Sequence, residues 1–181
     1  MPLHPAAPAD LPAVVDLVNL AYRGSDAGWN TEAGYIVGDR LTLSLLQADL
    51  EASPQARLLV WRDAPDEPLL GCVWLEPAGV EACYLGMLTV RPDLQARRLG
   101  RTILEEAERL AGAQGARRVR MTVVNVRDGL IAWYLRRGYA LTGETLPFPY
   151  DDARFDVPTR GDLAFIVLER ALAGDLAGAP G

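Results

Sequence analysis

Apolar positions fall into two rhythms along the chain. Leu11, Val14, Val15, Val18, Ala21 and Tyr22 recur at helical spacing after Asp10 and predict a first helix of about 13 residues that ends before Gly24. Leu99, Ile103, Leu104, Ala107 and Leu110 mark a central helix opening near Arg97 and stopping around 112–115. Leu130, Ile131, Tyr134 and Leu135 mark another, with Asp128 positioned to cap its start and Gly138 to end it. A further helix is expected over 42–52.

The remaining apolar runs are shorter and bounded by Gly, Pro and Asp, as strands are. They fall at 3–7, 56–62, 69–75, 81–90, 117–124, 139–143 and 163–172, with Val119, Met121 and Val123 alternating in the fifth. The second to fourth read as an antiparallel meander ahead of the central helix. Segments 24–40 and 145–160 break both rhythms and read as loops rich in glycine, aromatics and acids, the composition of pocket walls. Residues 1–172 are expected to form one domain, and 173–181 a disordered tail.

Length and composition narrow the class. A chain of 181 residues can bury about 70% of its unfolded surface without staples. Half its residues are hydrophobic and 23% charged, as in a soluble globular protein. The net charge of −6 argues against a general nucleic-acid or anionic-membrane surface, because either needs a broad basic face. No apolar stretch reaches the roughly 18 residues of a membrane span, and the N-terminus has no signal-peptide pattern, so the cytoplasm is the expected location. Cys72 and Cys83 flank the 77–79 turn and are expected to face each other across a hairpin as reduced thiols. Two cysteines and the single His4 cannot assemble a usual zinc set, so no metal is expected, and one terminal histidine leaves no Ser-His-Asp triad.

The stretch from Leu85 to Leu104 carries the chemistry. A buried strand ends at Arg91-Pro92, and the central helix then begins with Arg97, Arg98 and Arg101. First turns favour acids, since the macrodipole and unpaired N–H groups make that end positive, so three cations there suggest a bound anion. Neither a P-loop nor a dinucleotide fingerprint is present. Gln95-Ala96-Arg97-Arg98-Leu99-Gly100, preceded by Leu88-Thr89-Val90-Arg91-Pro92, resembles the acyl-CoA pyrophosphate loop of the GNAT acetyltransferase superfamily, Q/R-x-x-G-x-G/A after a strand ending V-x-P. Arg98 replaces the first glycine, where helical dihedrals and an outward side chain would keep the backbone N–H cradle intact.

The resemblance covers nearly the whole chain. It implies an α+β fold with a mixed, mostly antiparallel sheet of about six to seven strands, flanked by four helices and splayed between the fourth and fifth strands. It implies transfer of an acetyl group from acetyl-CoA to a primary amine of a small molecule or peptide, by direct attack in a ternary complex. A catalytically inactive acyl-CoA-binding sensor or scaffold is the alternative. Family members are often dimers, so the resemblance allows a homodimer.

Its site residues carry over one by one. Leu88, Thr89 and Val90 would serve the pantetheine arm and the oxyanion through their backbone. Gln95 to Arg101 would hold the pyrophosphate, and Asn125 would support the coenzyme or simply form a turn. Tyr134 matches the tyrosine that many members place beside the coenzyme sulfur; a phenol of reference pKa near 10 would donate to a thiolate whose acid is near 8.5. Its alternative is a buried tyrosine on an apolar helix face.

The general base is less defined, because Cys83-Tyr84-Leu85-Gly86 stands where members often carry a glutamate. Glu32 or Glu81 is the expected helper for binding or deprotonating the amine. Trp29, Tyr35 and Tyr150 are expected to line the acceptor pocket, or, for the first two, to cap the core. Asp39, Asp151, Asp152 and Asp156 lie in the same loops and suggest a cationic acceptor.

Overall fold

The structure is a computed structural model that describes residues 3–24, 32, 34–152 and 157–172, without the side chains of Val37, Gln95, Ala96 and Arg97. Trp29, Asp156 and the expected tail at 173–181 lie outside the described residues. Helices are α1 (Leu11–Arg23), α2 (Leu43–Ala52), α3 (Leu99–Ala113) and α4 (Asp128–Leu135). Strands are β1 (His4–Pro5), β2 (Ile36–Val37), β3 (Arg57–Trp61), β4 (Gly71–Pro77), β5 (Ala82–Val90), β6 (Arg118–Val124), β7 (Ala140–Pro147), β8 (Val157–Pro158) and β9 (Ala164–Ala171).

Seven strands form one sheet in the order β1-β3-β4-β5-β6-β9-β7. Every neighbouring pair is antiparallel except β5 and β6, which run parallel. A parallel pair needs a crossover long enough to return the chain, and α3 supplies it. Alternation within the strands then builds two cores. Leu59, Val73, Leu75 and Leu85 meet Ile103, Leu104 and Ala107 of α3 together with Tyr134 of α4. Leu58, Val60, Cys72 and Trp74 meet Val14, Val18 and Leu46 of α1 and α2 on the opposite face. Close approach fixes α3: a Cβ on Gly71 would lie 2.3 Å from Ile103 Cδ1 and 2.9 Å from the Thr89 carbonyl, so only glycine fits.

Several expectations need correction. Cys72 pairs with Thr89 and Cys83 with Pro77, so the two thiols sit on opposite faces, both buried and free. The sixth expected strand continues past a left-handed Gly143 (φ 83°) to Pro147, where a loop was anticipated. Both expected loops also contribute one short strand, and β2 and β8 pair as a separate two-stranded sheet. Ile36 packs with Val124, Phe148 and Leu163, anchoring this small sheet to the main one. Asp128 is the first residue of α4 rather than its cap, which is Arg127.

Candidate active site

The site starts from a fault in a strand ladder. Between the pairs Cys72–Thr89 and Trp74–Gly86, β4 supplies one residue, Val73, and β5 supplies two, Met87 and Leu88. This is a β-bulge, and Met87 within it takes the left-handed conformation (φ 51°). Bulges bend and twist the strand that carries them. β5 accordingly pairs with β6 only from Ala82 to Tyr84, against Arg118 to Arg120, and the two strands then part. Among the described residues no strand pairs with β5 on that side beyond Tyr84, so this edge of the strand faces the gap.

The opening is a cleft of about 140 Å³. Tyr84 to Leu88 line one wall and Met121 to Val124 the other. Leu130 and Tyr134 of α4 close it on one face of the sheet, while Tyr22, Glu32, Arg40 and Arg127 line its other end. At the fork, the Tyr84 hydroxyl lies 3.3 Å from that of Thr122, bridging the strands as they separate. A Cβ on Gly86 would fall 2.8 Å from the Tyr84 ring, so glycine keeps this ring in place.

Tyr134 is buried, held edge-on between Trp133 (centroids 4.9 Å apart) and Tyr139 (5.5 Å). Burial pushes its phenol above the usual tyrosine range, with neighbouring Tyr22 adding to the effect and Arg127 opposing it. The ring therefore stays protonated at neutral pH.

Glu32 is the buried carboxylate of the cleft, 3.4 Å from an Arg23 nitrogen and 3.8 Å from one of Arg127. Its Oε2 accepts no hydrogen bond. The Arg40 and Arg127 guanidinium carbons each lie 5.5 Å from the centroid of the Tyr22 ring, within cation–π reach.

The other expected site residues are scattered. Glu81 stands just before β5, half exposed and paired with Arg117 at 3.1 Å; it is three positions, roughly 10 Å along a strand, from Tyr84, where the cleft lining begins, and does not line the cleft. Asn125 is committed to the fold: its side chain donates to the Asp162 carbonyl (3.0 Å) and accepts from the Ala164 N–H (3.0 Å), extending the β6–β9 ladder. Tyr35 packs with the cluster around Ile36 rather than on the cleft wall, near enough to Arg127 and Glu32 for their charges to act on its phenol, and its buried hydroxyl has no hydrogen-bond partner among the described residues. Tyr150 accepts the Leu163 N–H at 2.7 Å and stacks edge-on against Phe148, beside an open concavity over 148–152. Trp29 lies outside the described residues.

Leu88, Thr89 and Val90 follow the bulge. Leu88 lines the cleft, the Thr89 hydroxyl donates to the Met87 carbonyl at 3.0 Å, and Val90 is buried. Pro92–Arg97 then form a short 3-10 turn, opened by a bidentate Arg91–Asp93 pair. Arg98 follows with φ 62° and ψ 6°, left-handed rather than helical, and α3 begins only at Leu99. Arg97 therefore ends the preceding turn instead of opening the helix, and Arg101 pairs with Glu105 one turn on, at 2.7 Å. A Cβ on Gly100 would meet Val90 and Trp133 only at ordinary contact distance.

Sequence reasoning missed Tyr22, Arg40, Tyr84, Thr122 and Arg127 as cleft residues. The signal for Tyr84 and Thr122 was the i, i+2 alternation on two strands flanking a gap, which has meaning only once the bulge is located.

Comparisons with known proteins agree with this geometry. The model of the acetyltransferase (GNAT) family matches residues 14–139, well over half the chain. No protein among those of curated function matches the sequence significantly. Among solved structures, the PaiA N-acetyltransferase of Thermoplasma acidophilum in complex with coenzyme A superposes with a TM-score of 0.68 at 16% identity, over 94% of this chain and 98% of that one. A GNAT acetyltransferase of Elizabethkingia anophelis with acetyl-CoA bound gives 0.65 at 18% identity, over 94% and 97%. The ribosomal-protein-alanine N-acetyltransferase of Brucella melitensis gives 0.66 at 18%, over 95% and 100%. At these identities the likeness is one of fold.

Proposed function

The chain belongs to the GNAT acetyltransferase family, and from that premise we propose that it transfers an acetyl group from acetyl-CoA to a primary amine by direct attack in a ternary complex. The observation that carries this reading is the gap between β5 and β6 with Tyr134 on its wall. A thioester lying in that gap meets the edge of β5 that β6 leaves uncovered on one side and a protonated phenol on the other. The backbone of Gln95 to Arg101, at the start of α3, cradles the pyrophosphate, and the Leu88 to Val90 segment pairs with the pantetheine arm.

The amine nitrogen adds to the thioester carbon, the carbonyl electrons move to oxygen, and the C–S bond breaks as they return. The nitrogen loses one proton and the sulfur gains one, leaving an amide and free coenzyme A. Tyr134 serves the sulfur by hydrogen bonding to it. Complete transfer from a phenol raised above 10 to a thiolate near 8.5 would run uphill by about 2 kcal/mol or more. The nitrogen's own proton, released as the amide forms, is the one that ends on sulfur. Glu32, a carboxylate within the cleft, receives the ammonium form of the acceptor and passes its first proton to solvent before the attack, so the nucleophile is the neutral amine and one proton is released to water overall.

Calorimetric titration with acetyl-CoA, followed by a free-thiol assay with a panel of amines, tests the proposal. Saturable binding and thiol release are expected. Tyr134→Phe should retain coenzyme binding and lower kcat by about tenfold to a hundredfold, the worth of one strong hydrogen bond at the departing charge. Because the phenol stays protonated, that loss should be the same at about pH 6.5 and about pH 9. Absence of coenzyme binding would overturn the reading, and a loss that changes across that range would overturn the role of Tyr134.

A further inference from the structure

The two ends of the cleft differ in charge. On the face of α3 and α4 it is lined by Leu130 and the neutral Tyr134. At the other end, where α1 and the segment before α2 contribute, it is lined by Glu32, Arg40 and Arg127, with Arg23 behind Glu32. This is the end left to an acceptor when the coenzyme loop lies at the start of α3 on the opposite face.

Sequence composition suggested that acidic loops would attract a cationic acceptor. Geometry reverses the sign. Asp39 and Asp151 are exposed, whereas the side chains of Arg23 and Arg127 are each only 8% accessible. Among the described residues lining the cleft, two guanidinium groups stand against one carboxylate. That carboxylate lies within ion-pair reach of both Arg23 and Arg127, so among the described residues this end of the cleft carries more positive than negative charge. The Tyr22 ring, itself buried, holds Arg40 and Arg127 at matched distances of 5.5 Å. Fixed guanidinium forks suit a planar carboxylate and cost little reorganisation on binding. A polyamine or aminoglycoside would bring further cations against this wall and be repelled.

Glu32 adds a second requirement. Its buried Oε2 lies 3.4 Å from Arg23 Nη2 without forming a hydrogen bond, so it keeps acceptor capacity for a ligand N–H. An acceptor with a nitrogen donor for Glu32 and an anion for the guanidinium groups answers both features.

Resting on the transferase reading above, we propose that the acceptor is an amino-acid-like amine, whose carboxylate is held by Arg40 and Arg127 while its nitrogen lies beside Glu32. Arg40 and Arg127 are then specificity-determining residues, and Tyr22 is a positioning residue that acts through them.

The test uses the full-length protein with acetyl-CoA and matched acceptors: a set of α-amino acids and dipeptides, the corresponding C-terminal amides, and linear diamines. Thiol release is measured as kcat/KM for each. The carboxylate form should exceed its amide by about tenfold or more, as expected for one charge-assisted contact, and should exceed the diamines. Arg40→Met should shrink the carboxylate-to-amide ratio to about threefold or less, through KM rather than kcat, while acetyl-CoA affinity measured by calorimetry stays within about twofold. Equal use of amides, preference for diamines, or an unchanged ratio in the Arg40 variant would overturn the proposal. So would a panel in which no carboxylate-bearing amine either reacts or competes with a reacting amine. In each of those cases retained coenzyme binding leaves the transferase reading standing, and only its loss removes both.

Discussion

Arg98 occupies a backbone position that its side chain disfavours. With φ 62° it joins the 3-10 turn of Pro92–Arg97 to α3 through the left-handed region, where a Cβ crowds the following carbonyl. Helical dihedrals were expected there, because a Q-x-x-x-x-G frame says nothing about the sign of φ. The observed sign supplies a physical reason for the glycine in the family's pattern. Arg98→Gly should therefore stabilise the fold by about 0.5–1 kcal/mol, the left-handed penalty less the entropy glycine regains when unfolded. A melting point raised by about 1–4 °C would confirm this, and a lowered one would mean that the Arg98 side chain contributes more than its strain costs. The neighbouring motif was legible for the opposite reason. Pro92 and Gly100 are residue types whose backbone preferences are written in their covalent structure, whereas Arg98 is an ordinary residue in an unusual conformation.

Elements were legible wherever an apolar rhythm ran long enough to be counted. α1 and α2 fall within a residue of expectation, and so does β6, because burial against one face dictates the spacing. β2 and β8 were missed since two residues cannot establish an alternation, and their pairing joins segments about 120 positions apart. A polar tie between elements was equally hidden. Glu108 of α3 is buried, accepting the Tyr139 hydroxyl on Oε1 (2.8 Å) and Arg170 Nη1 of β9 on Oε2 (2.7 Å). Amphipathic spacing alone would have put an alanine or leucine there. This triad locks α3, the turn after α4 and β9 together, and the Tyr139 ring in turn flanks Tyr134. Tyr139→Phe should cost about 1.5–3 kcal/mol, the worth of a hydrogen bond to a charged group. Glu108→Ala, which strands both donors, should cost about 3 kcal/mol or more, although partial exposure of Arg170 moderates the loss. Urea titration with an unchanged m-value would read both as losses of native-state stability. If Glu108→Ala proved milder than Tyr139→Phe, the triad would not be the tie described here.

At the scale of the whole molecule, the buried acids set a limit on the alkaline side. Burial pushes the Cys72 thiol from its ordinary value of 9.0 up to about 12, and also raises Cys83, Tyr22, Tyr134 and Tyr139. Each of these groups holds its proton more tightly when folded than when unfolded. The stability this linkage confers is thus fully present below the unfolded pKa and is lost as pH rises towards the folded one. For Cys72 the window opens at about pH 9, and the loss is about 1.4 kcal/mol per pH unit from that thiol alone. Growing negative charge on a chain already at −6 would act in the same direction, so the fall alone does not identify its cause. Salt separates the two. Self-repulsion across the surface is screened at about 1 M ionic strength, where the Debye length is about 3 Å, whereas ionisation of a thiol in the core is not. Denaturation midpoints between about pH 8 and about pH 10 should therefore keep their downward slope in 1 M salt, and Cys72→Ala, which cannot ionise, should make that slope shallower. A slope abolished by salt and unchanged by the substitution would place the alkaline limit on the surface rather than in the core between the sheet and α1.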